Sequence, residues 1–142
     1  MNKSLEKKHM KKIRLNRIHC TLPDEIDKDE MYLKYKGKKI WPKGIMYYRV
    51  DTGDIAPVNL TMEVEEGWNE IELWDFDYLS RNDFLGIFRF MVSDEPGVYS
   101  NSMDLVEKNS TASYIMDWEI LEADGSSVRD KFSELHLEDE DK

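Results

Sequence analysis

From residue 13 to residue 120 the apolar residues of this chain recur at a period of two. They do so in short runs separated by turn residues. Successive side chains of an extended strand point to opposite faces, so such alternation marks strands with one face on a core. "KIRLNRIHC" places Ile13, Leu15 and Ile18 near this period. "MYLKYKGKKIWP" alternates Leu33 and Tyr35 with Lys34 and Lys36 before turning at Gly37. "IMYYRVD", "FLGIFRFMV" and "ASYIMDWEILEA" add aromatic and β-branched runs. In "VNLTMEVEEGWNEIELWDFD" two alternating runs meet at "EEG", a hairpin signal. Pro23, Pro42, Gly44, Gly53, Gly67, Pro96, Gly97 and Gly125 all fall between runs. About eight strands at short spacing, with no long helical pattern, predict an all-β, eight-stranded antiparallel Greek-key sandwich.

A chain of 142 residues suits one domain with tails. The expected boundaries are a basic N-terminal tail at 1–10, the sandwich at 11–121 and an acidic C-terminal tail at 122–142 ending "SELHLEDEDK". A net charge of −10 argues against a nucleic-acid binder, because phosphate backbones call for clustered Lys and Arg. The single cysteine, Cys20, excludes an internal disulfide and fits a reducing compartment. No apolar run approaches the ~18 residues of a membrane span. "MNKSLEKKHMKK" lacks the apolar stretch of a secretory signal. The expected location is the cytoplasm or a membrane periphery, with signal-less export left open. His9, His19 and His136 are scattered, and no nucleophile–base set, phosphate-cradling glycine loop or paired-cysteine site is visible. The chain reads as a binding protein with no catalytic residues, not an enzyme.

The chemistry concentrates in "WDFDYLSRNDFLG". Asp75 and Asp77 end one run and Asp83 opens the next. In an extended segment Asp75 and Asp77 share a side, and the loop returns Asp83 toward them. Hard oxygen ligands at this spacing suit Ca²⁺, which accepts six to eight oxygens in flexible geometry. An EF-hand is excluded: counted from Asp75, its required glycine and glutamate positions hold Ser80 and Gly86.

This segment resembles the third calcium-binding loop of the C2 domain, the membrane-binding β-sandwich of synaptotagmins and protein kinase C. The family pattern D-x-D-x5-D, followed by an apolar residue and Gly, is matched by Asp75, Asp77, Asp83, Phe84, Leu85 and Gly86. The first loop, D-x5-D ahead of P-Y-V-K-V, is matched more loosely by Asp24 and Glu30 ahead of "MYLKY", with Asp29 the alternative if the register differs by one. The resemblance implies a Ca²⁺ site formed by Asp24, Glu30, Asp75, Asp77, Ser80 and Asp83. It also implies apolar tips at Ile26, Tyr78 and Leu79, and an anionic-lipid face carrying Lys34 and Lys36. Leu79 stands where the family places a membrane-inserting residue. The expected partner is an anionic phospholipid membrane or a protein. "GDIAPVNLTMEV", in place of the family's usual P-x-W-N segment, points to a bacterial variant. A second expectation from another class stands beside it: a structural or adaptor protein of a bacterial assembly, such as a secretion or injection apparatus, with Ca²⁺ only stabilising the loops.

Overall fold

The computed structural model describes residues 9–22, 29–106 and 111–131. Ten strands are present among them: β1 (Met10–Leu22), β2 (Asp29–Tyr35), β3 (Lys38–Trp41), β4 (Tyr48–Val50), β5 (Ile55–Glu65), β6 (Gly67–Asp75), β7 (Asp83–Val92), β8 (Gly97–Ser102), β9 (Asp104–Leu105) and β10 (Ser113–Ile120). They form the expected antiparallel sandwich. One sheet has the order β5-β1-β10-β8 and the other β3-β2-β6-β7-β9, with β4 also pairing with β2. The chain leaves β1 for the second sheet, makes β2 and β3, and returns as β5 beside β1, a Greek-key path folded across two layers.

The alternation explains the core. Along β10, Tyr114, Met116, Trp118 and Ile120 are buried and their odd-numbered neighbours up to Asp117 are not. Ile13, Leu15 and Ile18 of β1 join them from the neighbouring strand. The facing sheet contributes Met31 and Leu33 from β2, Ile71 and Leu73 from β6, and Phe88 and Phe90 from β7. The rings of Phe90 and Trp118 meet across the layers at 4.7 Å between centroids. Burial of large side chains from both inner faces is the main source of stability in such a sandwich.

One join differs from its sequence signal. "EEG" does not close a hairpin. Glu65 ends β5 in one sheet and Gly67 opens β6 in the other. The ladder partners explain this: β5 is taken by β1, while β6 is taken on both sides by β2 and β7. Gly67, at φ 110°, makes the turn between layers in a backbone region that favours glycine.

Residues 122–131 lie on the sandwich. A turn at 122–126 leads into helical residues 128–131. Ser127 is buried, and its hydroxyl donates to both oxygens of the fully buried Glu119 carboxylate at 2.8 and 3.0 Å. The Arg14 guanidinium reaches Asp130 at 3.1 Å.

Candidate functional site

The β2 N-terminus, the β6 C-terminus and the β7 N-terminus lie at one end of the sandwich, set there by their antiparallel register. Loop 76–82 closes that end between β6 and β7. Asp24 and Ile26 lie outside the described residues. The other expected site residues fall into distinct environments, and strand register decides which.

Asp75 is 3% exposed. It pairs with Met31 on one side and Asp83 on the other, so its side chain shares the core-facing side with Met31. One of its oxygens accepts the Glu30 backbone N–H at 2.8 Å. Asp83, directly opposite, is exposed. Glu30 precedes Met31 and therefore points to the outer face of the sheet. There it pairs in register with Arg49, whose guanidinium is 3.8 Å from the carboxylate. The carboxylate that shares Asp75's side is Asp29, the alternative register. It is fully buried, and the Tyr114 hydroxyl donates to it. Burial, and then the Asp29 carboxylate, hold the Tyr114 phenol far above its ordinary pKa. Burial likewise pushes the neighbouring Cys20 thiol up to about 11.

Asp77 turns back on its own loop. Its Oδ1 accepts the Leu79 N–H at 2.8 Å and its Oδ2 accepts the Ser80 hydroxyl at 2.7 Å. Those bonds, the Ser80 hydroxyl first, hold its pKa below the ordinary aspartate value. The Asp77 N–H donates to Asn82 Oδ1, and Asn82 Nδ2 donates to the Tyr32 hydroxyl. This braces the loop against β2.

A calcium site would need these oxygens turned to one point. Among the described residues no three His, Cys, Asp or Glu side chains gather so as to hold a metal ion. Asp75 and Asp83 are brought together, Glu30 faces away, and both Asp77 oxygens serve the loop. The described donors do not by themselves fit a calcium cage. Gly86, the motif's glycine, has a packing reason instead. A Cβ there would lie 2.5 Å from the Asp104 carbonyl oxygen of β9.

What the loop does display is apolar. Leu79 is 97% exposed and Tyr78 70%. Tyr78 stands edge-on against Phe76, with centroids 4.8 Å apart, and Phe76 stacks on Tyr47 at 5.4 Å. Phe76, Tyr47 and Asn82 were not singled out by sequence; the aromatic alternation around Asp75 and Asp77 was the available signal. On the same outer face Lys34 Nζ lies 4.5 Å above the Trp74 ring, which stacks on Phe84. Lys36 reaches Glu65 at 3.5 Å and is largely exposed.

No protein-family model and no curated protein matches the chain. Among solved structures it is similar to a C2 domain of plant extended synaptotagmin 1, with TM-score 0.48 and 8% identity, over 80% of this chain and 95% of that one.

Proposed function

We propose that this chain is a docking domain that attaches to an anionic membrane surface through loop 76–82. One observation carries the reading: a loop braced by Asp77 and Asn82 holds Tyr78 and Leu79 out in water. Holding apolar side chains in solvent forgoes burial, and an interface that accepts them recovers it. Lys34, on the outer face, adds a cation that an anionic headgroup layer attracts. The sequence resemblance to C2 domains agrees with this use of the loop end. No step of the reading runs through calcium, because the described carboxylates do not assemble its cage.

The test is co-sedimentation with vesicles of phosphatidylcholine alone or mixed with phosphatidylserine, each with Ca²⁺ and with chelator. Binding to the anionic vesicles only is expected. If it requires Ca²⁺, the ion joins the site as the sequence resemblance implies; if it survives chelator, the tip suffices. No sedimentation under any condition overturns the membrane reading and leaves the protein-adaptor alternative.

A further inference from the structure

We infer that loop 42–47, between β3 and β4, is a second membrane-contacting element, joined to loop 76–82 as one apolar ridge for an anionic bilayer. This rests on the docking reading above and extends it to a loop outside the carboxylate motif. Ile45 and Met46 are 56% and 53% exposed. Single exposed apolar residues need no explanation. Here four of them, Ile45, Met46, Tyr78 and Leu79, lie on two loops joined by three rings. Tyr47, next to Met46, stacks on Phe76 and meets Tyr78 edge-on at 6.3 Å. Phe76 and Tyr78 complete the contact. The loop is also held from below, because Lys39 Nζ donates to the Ile45 carbonyl oxygen. Its apolar side chains are therefore presented by a braced backbone.

Charge selects the partner. Lys43 lies in the loop itself, Lys39 reaches its Ile45 carbonyl and Arg49 follows on β4 beside Glu30, whereas Lys36 lies toward Glu65 at the other end of β2. Arg81 adds an exposed cation two residues beyond Leu79. Apolar side chains with Lys43, Arg49 and the exposed Arg81 beside them match a bilayer with anionic headgroups: the apolar side chains enter the acyl boundary while these cations offset Glu30, Asp77 and Asp83 at the same end and stay among phosphates.

The experiment places an environment-sensitive fluorophore on three single positions in the full chain: Met46→Cys, Leu79→Cys and Glu95→Cys. Glu95 lies in the exposed turn between β7 and β8, at the opposite end of the sandwich. Cys20 stays unlabelled near neutral pH, being buried with its pKa raised to about 11. On adding vesicles containing phosphatidylserine, emission should shift to the blue at 46 and 79 and not at 95. A shift at 79 alone overturns the two-loop ridge and leaves the docking reading standing. A shift at none of the three overturns the docking reading itself. A shift at all three means unspecific adsorption and overturns the ridge. In parallel, the double variant Ile45→Ser/Met46→Ser should lose at least about tenfold in vesicle affinity, given the apolar area removed. Its melting temperature should match the wild type, since both side chains are more than half exposed. An unchanged affinity overturns the inference.

Discussion

Two carboxylates in this fold do the same local chemistry to opposite ends. Glu119, on β10, accepts a serine hydroxyl from Ser127 and, at 3.4 Å, a backbone N–H from Arg129. Asp77, in loop 76–82, accepts a serine hydroxyl from Ser80 and a backbone N–H from Leu79. Glu119 is fully buried, so its bonds fasten residues 122–131 down onto the sheet. The Asp77 loop is in water, so its bonds hold an apolar tip away from the core. Such a motif fixes backbone shape, while burial decides whether the shape stabilises the fold or presents a surface. A buried acceptor that loses its donors keeps a desolvation cost; an exposed one is rehydrated.

The largest effect is expected at Glu119. Glu119→Ala removes the acceptor for Ser127 and leaves Arg14, 3.6 Å away, without that partner. Breaking a buried charged contact of this kind should cost about 3 kcal/mol. The melting temperature should fall by many degrees, and residues 122–131 should become sensitive to protease. A variant as stable as the wild type would mean that Glu119 does not fasten this segment.

Leu79→Ala tests the other end. Truncation removes about three carbons from the interface, on the order of 2 kcal/mol at ~0.8 kcal/mol per CH₂, or roughly thirtyfold in vesicle affinity. Because Leu79 touches almost nothing in the folded protein, the melting temperature should not move. A lower melting temperature with intact vesicle binding would show that Leu79 belongs to the core.

The same contrast explains what could be read from sequence. Alternation in β6 and β10 shows which residues face inward, because one-residue steps translate directly into faces, while β1 changes phase at the bulge between Leu15 and Arg17, so that Ile13 and Leu15 share the inner face with Ile18 and Cys20. It therefore revealed the sandwich and most of its core. It could not tell whether two runs meeting at a glycine stay in one sheet, since a hairpin and a crossover have the same local pattern; Gly67 is the case in point. The site was legible as a motif around Asp75, Asp77 and Asp83. The faces of Glu30 and Asp29 were not, because they depend on pairing with β4 and β6, which lie well beyond them along the chain. The tie between Tyr47 and Phe76 is likewise a tertiary fact with no local signal.

A matched pair of serine variants isolates the effect of burial at smaller amplitude. Ser127→Ala leaves both buried Glu119 oxygens without that hydroxyl donor and should cost about 1 kcal/mol. Ser80→Ala removes the equivalent bond to Asp77 where water replaces it, and its melting temperature should stay at the wild-type value. Equal losses in the two variants would refute the role given to burial.

The smallest effect expected is the titration of Asp77. Its pKa is lowered in the fold, first by the Ser80 hydroxyl and then by the Leu79 N–H. A group of this kind gives its full contribution above its ordinary value of 3.8, and the contribution fades as pH falls through the lowered folded value. The tip should accordingly be held unchanged at neutral and mildly acidic pH and be released only in strong acid. The Leu79 amide proton, which donates to Oδ1, reports this directly by nuclear magnetic resonance. Its resonance should titrate with a midpoint below 3.8. Asp77→Asn should abolish that titration, because a neutral amide oxygen still accepts the bond at every pH. Since the bond itself survives, the Asn variant should keep most of the vesicle affinity that Leu79→Ala loses. A midpoint at or above 3.8, or an amide that does not respond, would mean that Asp77 does not hold the tip, and the exposed positions of Tyr78 and Leu79 would need another cause.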